Sequence, residues 1–199
     1  SSISCIVLDA RAAPASLIPG SVATGSLDGD GGVAGAASAA LTSLMEEMPP
    51  DDARTPTRLI GKKVLPILED VCARYVFTDV SGAFLRHARA RFGDISFVEY
   101  ALLNIDADPL LQGFALHQCD IVIATNVLHA TPLMCNTLRN CEQLLCAGGV
   151  LMVNEALRTA AFAQITFGMT DVWWLFGESR DAERVGQDSP LLSWRQWQA

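Results

Sequence analysis

"CDIVIATNVLHATPLMCNTLRNCEQLLCAGGVLMVNEA", residues 119–156, decides the fold. Its first seven residues are an apolar run of strand length that stops at Thr125 and Asn126. From Thr131 to Cys146 the pattern changes to a helix, with Met134, Leu138, Cys141 and Leu145 on one stripe at spacings of three and four. Gly148 and Gly149 then supply the left-handed stop that a helix end favours, and "GVLMVNEA" reads as a second strand. Working outward, "RYVFTD" and "ISFVEYAL" are further strands, and "KKVLPILEDVCA" and "SGAFLRHARARF" are helices. Strands that are apolar almost throughout are expected where helices cover both faces of a parallel sheet. The pattern therefore predicts an α/β, doubly wound, mostly parallel sheet.

The first 60 residues have a different texture. "ISCIVLD" reads as a strand and "VAGAASAALTSLMEEM" as a helix, with the glycine- and serine-rich loop "IPGSVATGSLDGDGG" between them. "PPDDARTPT" reads as a linker, because closely spaced prolines favour extended or irregular chain. Residues 1–60 are thus expected to be an irregular leader and linker, and residues 61–199 the domain. "SPLLSWRQWQA" reads as the opening turns of an unfinished helix, so the chain is expected to be a piece of something larger, truncated at its C-terminal side.

Half of the 199 residues are hydrophobic, enough for one core of ordinary size. A net charge of -8 disfavours nucleic acid as a partner, since a phosphate backbone rewards a basic surface. Val33–Met45, the longest weakly polar stretch, is too short for a membrane span of about 20 residues. The six cysteines form no CxxC pair and no zinc-like grouping with histidine, and they read as buried hydrophobes in a reducing, cytoplasmic setting. "RHARAR", residues 86–91, is the one basic cluster; it reads as a solvated helix face, with docking of an acidic partner as the alternative.

In doubly wound sheets, ligands bind outside the carboxyl ends of the strands. Those ends hold Asp79, Asn104 and Asp106, Asn126 to His129, and Glu155. Any single polar residue at a strand end marks only where solvent begins. Four polar strand ends together point to a site.

"YVFTDVSGAFLRHARARF", "LLNIDADPLLQGF", the quoted stretch from Cys119, and "ITFGMTDVWWLFGESRD" followed by "SPLLSWRQW" resemble, in order, the motifs of the C-methyltransferase domain of polyketide synthases. The resemblance covers roughly residues 63 to 199. It implies a Rossmann-like class I methyltransferase fold with S-adenosylmethionine as cofactor. It also implies an acyl carrier protein bearing a phosphopantetheine-linked acyl chain as partner, among neighbouring synthase domains. The implied activity is methylation of the α-carbon of a carrier-bound β-ketoacyl thioester.

Carried over to this chain, the resemblance makes Asp79 the acceptor for the ribose hydroxyls, a task suited to a carboxylate. Asn104 stands where the family has an acidic residue near the adenine, with Asp106 the nearest carboxylate, and Asn126 lies beside the cofactor. His129 and Glu155 match the family's catalytic pair, a histidine that removes the α-proton and a carboxylate that fixes its tautomer. This chemistry needs no metal. Trp173 and Trp174, with Phe167, Met169 and Phe176, are implied to wall the substrate tunnel, although such residues also serve simply as packing. Arg86, Arg89 and Arg91 are the weaker candidates for docking the acidic carrier.

The sequence departs from the family at its first signature. Counting back from Asp79 by the roughly 20 residues of such a unit reaches "TPTRLIGKK", which has only Gly61 and no preceding strand. "LDGDGGVAG", residues 27–35, lies too far upstream and reads as a loop. A first strand with its glycine loop, and the last strands of the domain, are therefore expected to be missing. A pseudo-methyltransferase acting as a structural module is the alternative reading. A dinucleotide-binding reductase is disfavoured, because no GxGxxG follows a strand.

Overall fold

The computed structural model of the chain describes residues 4–9, 65, 72–158, 161–178 and 181–198. Five strands form one sheet: β1 (Ser4–Asp9), β2 (Arg74–Asp79), β3 (Val98–Leu102), β4 (Cys119–Thr125) and β5 (Leu145–Asn154). Their order across the sheet is β3-β2-β1-β4-β5. The longer helices are α1 (Gly82–Phe92) and α2 (Met134–Leu144). The shorter α3 (Ala161–Thr166), α4 (Leu175–Glu178) and α5 (Trp194–Trp197) follow β5. No helix among the described residues is long and apolar enough to cross a membrane.

Alternation along the strands divides the core between the two faces. Tyr75 and Phe77 of β2, Ile121 and Ile123 of β4, and Met152 of β5 pack with Ala88 and Phe92 of α1. Val76, Val122 and Ala124 face the other way and pack with Met134, Cys141 and Leu144 of α2. A sheet buried on both faces needs strands without a polar side, which is why β4 reads as an unbroken apolar run. The doubly wound α/β expectation holds.

β2 pairs with β3 in parallel, and β4 with β5 in parallel. β1 lies between β2 and β4 and is antiparallel to both, with Ser4 opposite Asp79 and Thr125 and Leu8 opposite Tyr75 and Ile121. The strand expected over "ISCIVLD" is thus present, but it fills the centre of the sheet rather than belonging to a leader outside the domain. The physical reason is the backbone. A gap there would leave the N–H and C=O groups of β2 and β4 unpaired in the buried middle of the sheet. At the edge where β2, β3, β4 and β5 end, β1 begins. The glycine-rich loop at 18–32, the helix at 33–48 and the linker lie outside the described residues, as does the helix at 62–73 apart from Leu65 and the last two residues.

The two glycines at 148 and 149 do not stop the helix. α2 ends at Leu144 and its C-cap Leu145 is already extended. Gly148, at φ 80°, lies inside β5, where the pairing jumps from Cys119–Leu145 to Ile121–Val150. A Cβ on Gly149 would stand 3.0 Å from the carbonyl oxygens of Cys119 and Cys146. Glycine is needed here for an irregularity between strands, which mimics a helix stop in sequence.

Candidate active site

β4 and β5 end side by side, with Thr125 opposite Asn154. Asn126 takes a left-handed turn, φ 50°, and its N–H donates to the Asn154 carbonyl at 2.8 Å. Asparagine tolerates that conformation better than other side-chain-bearing residues. The turn directs the chain into a single 3₁₀ turn, Leu128–Ala130, over the end of β5. Glu155, the residue after β5, receives it.

The N–H groups of Val127 and Leu128 both donate to Glu155 Oε1 at 2.7 Å, and Nδ1 of His129 is 2.6 Å from Oε2. The side chains of His129 and Glu155 are only 12% and 2% exposed. A carboxylate only accepts, so Nδ1 must carry the proton and donate it to Glu155. Nε2 then holds the lone pair. The ring of Trp173 stands edge-on to the imidazole at 6.2 Å, and Phe167 stacks on Trp173 at 6.0 Å. Trp173 and Phe176 are buried, whereas Trp174 and Met169 are exposed. Trp173 is therefore the member of the aromatic segment that reaches the histidine, with Phe167 stacked behind it.

The carbonyl side of the same turn is held by Arg184, which is completely buried. Its guanidinium donates to the carbonyls of His129 at 2.9 Å, Thr131 at 2.7 Å and Pro132 at 3.3 Å, and pairs through Nε with Asp181. Asp181 also accepts the N–H of Met134 at the start of α2. Neither Arg184 nor Asp181 is visible as a site residue in the sequence, because a lone charge in a polar stretch normally faces solvent.

Asn104 and Asp106 sit in an exposed loop after β3. Gln112 brackets the Asn104 backbone, accepting its N–H at 2.8 Å and donating to its carbonyl at 2.9 Å. Asn136 and Asn140 of α2 donate to the carbonyls of Asp106 and Ile105, each at 2.7 Å. Two asparagines four apart on one helix are the sequence signal for this support. Of the basic cluster, Arg89 lies over the Tyr100 ring and Arg91 over that of Phe92.

Residues 60–151 match the family model described as "Methyltransferase domain". Polyketide synthase ThaG of Burkholderia thailandensis is 46% identical over 124 residues, which is 62% of this chain and 2% of that protein. The crystal structure of the CurJ carbon methyltransferase matches with a TM-score of 0.65 at 34% identity, over 79% of this chain and 43% of that one. The chain is a relative of the polyketide synthase carbon methyltransferases. It has the Rossmann-like fold of that class. The trans-methyltransferase CalH, solved as a complex with SAH, matches at a TM-score of 0.61 and 34% identity, over 71% of this chain and 38% of that one. The chain thus spans less than half of either solved methyltransferase and a small part of the synthase.

Against that family, the methyltransferase-like chain has an uneven site. His129 and Glu155 are brought into contact. At the end of β2, however, Asp79 is only 1% exposed and its Oδ1 accepts the N–H of Ser81 at 2.8 Å, so a ribose has no open carboxylate to meet. Beside it the carboxyl edge of the sheet presents the amino end of β1 at Ser4, where a strand running the other way would have delivered a loop of backbone N–H groups. The described residues bring His129 and Glu155 together but offer the cofactor no open Asp79.

Proposed function

We propose that this domain serves carbon methylation in polyketide assembly, acting on the α-carbon of a carrier-bound β-ketoacyl thioester, and that His129 is the base. The supporting observation is the contact of His129 with Glu155, a carboxylate already tied to two backbone N–H groups of the same turn. The α-proton of such a substrate is acidified by the two flanking carbonyls. Nε2 takes it, and the electron pair of the C–H bond remains on the substrate as an enolate. The imidazolium that results keeps its Nδ1–H on Glu155, whose charge favours that state. Trp173 stands edge-on to the ring at 6.2 Å. S-adenosylmethionine is the methyl donor that the resemblance implies, and SAH in the CalH complex is what that donor leaves behind. Asp79, at 1% exposed, does not offer that donor a ribose-binding carboxylate.

Proton abstraction is testable without the cofactor. A β-ketobutyryl thioester of pantetheine, incubated with the chain in deuterated buffer, should gain deuterium at the α-carbon faster than in buffer alone. His129→Ala should return the rate to background. Equal exchange with the parent and the variant would end the reading.

A second reading, a structural module that catalyses nothing, is favoured by the reversed β1 and the closed Asp79. It requires that the parent chain accelerate no exchange at all.

A further inference from the structure

A buried guanidinium is costly unless its charge is paired and its donors are used. Arg184 meets that requirement in an uncommon way. Its charge is paired with Asp181, while its Nη1 and Nη2 groups donate to carbonyls of one short stretch, His129, Thr131 and Pro132. The Phe176 ring covers the guanidinium at 5.3 Å. These carbonyls lie at the end of the 3₁₀ turn, where the turn itself has no N–H left to offer. At the other end of the same turn Glu155 takes the free N–H groups of Val127 and Leu128. An anion therefore holds the amino side and a cation the carbonyl side, the arrangement a turn's dipole favours.

We infer that Arg184 is a positioning residue for His129: it fixes the backbone from which the imidazole reaches Glu155, acting with Asp181 as its charge partner. This rests on His129 being the base, but the placement of the ring is measurable apart from any activity. Glu155 alone holds the ring from one side, through N–H groups that precede His129. Without the Arg184 bond to the His129 carbonyl, the peptide following the histidine is held only by the Ala130 N–H on the Val127 carbonyl at 3.1 Å, and the ring is placed more loosely. Arginine suits the task because its rigid planar fork meets several carbonyls at once, which an ammonium on a flexible stem does not.

Nitrogen-15 NMR of the imidazoles tests this in the whole chain, which has only three histidines. In the parent, His129 should give the signals of a single tautomer with the proton on Nδ1. Arg184→Lys and Asp181→Asn, each checked for folding by circular dichroism, should give signals averaged between tautomers. The exchange rate of the thioester α-proton should fall about tenfold, within the range a misplaced group costs. Arg184→Gln should fall further, so that lysine partly rescues it. A folded Arg184→Lys or Asp181→Asn chain with the parent's His129 signals would reduce Arg184 to a staple for residues 171–184 and overturn the inference. If the parent accelerates no exchange, the nitrogen signals decide alone, and the fault then lies with the role of His129 and not with its positioning.

Discussion

Glu155 uses both carboxylate oxygens on the turn that carries His129: Oε1 accepts two backbone N–H groups at 2.7 Å and Oε2 faces Nδ1 at 2.6 Å. One side chain thereby sets both the backbone and the tautomer of the histidine. Glu155→Gln keeps the shape but brings an NH₂ that can donate to Nδ1, which would move the proton to Nε2 and remove the base. We expect α-proton exchange to fall by about 10²-fold or more, the order of a lost general base, with the circular dichroism spectrum unchanged. A fully active amide variant would mean that Glu155 does not orient the ring.

Glu155→Ala differs in kind from Glu155→Gln. It leaves the N–H groups of Val127 and Leu128 buried without their acceptor, at about 1–3 kcal/mol for each unsatisfied group. Its urea midpoint should lie clearly below those of the parent and of Glu155→Gln. Coincident midpoints for the three chains would show that water replaces the carboxylate at no cost.

Cofactor binding should be weak. With Asp79 closed and β1 reversed, S-adenosylmethionine should bind this chain no tighter than about millimolar, or about 4 kcal/mol. Titration calorimetry measures it. A micromolar constant would show that Asp79 opens and that other residues take the glycine loop's role.

β1 is paired on both sides, so a proline inside it should be destabilising. Val7 lies opposite Val76 and Val122, and Val7→Pro removes a ladder N–H from the centre of the sheet. A loss of at least about 1–3 kcal/mol is expected, the cost of leaving a buried acceptor unsatisfied. An unchanged urea midpoint would remove residues 4–9 from the sheet.

Cys135 is exposed yet should react slowly with alkylating agents. Its thiol lies 3.4 Å from Glu183 Oε1, and this hydrogen bond, with burial and the charges of Glu183 and Asp181, raises its pKa. A raised thiol pKa means less thiolate at a given pH above neutrality. Glu183→Ala removes the largest cause, the hydrogen bond, and should speed iodoacetamide labelling of the Cys135 peptide near pH 8, read by mass spectrometry. Labelling at the parent's rate would show that the contact does not persist in solution.

The sequence by itself determined most of the elements and named the two residues, His129 and Glu155, that meet in the fold. "RYVFTD" and "CDIVIAT" are β2 and β4 to the residue, Ser81 caps α1 through its side chain, and Ser193 with Gln196 forms the capping box of α5. These are local properties, set by periodicity and by which side chains bond nearby backbone, and they survive in one dimension. His129 and Glu155 could be named in advance because their motif is specific, but their contact depends on the register of Thr125 against Asn154. Only the tertiary structure decided the direction of β1, since an apolar strand meets parallel and antiparallel neighbours with the same side chains. Only burial separated Arg184 from the exposed arginines: a charge becomes a structural tie when the surrounding chain excludes water and offers carbonyls in its place. The closing of Asp79 belongs with these, because a carboxylate's availability depends on what packs over the end of its strand, and no pattern around Asp79 in the sequence records that.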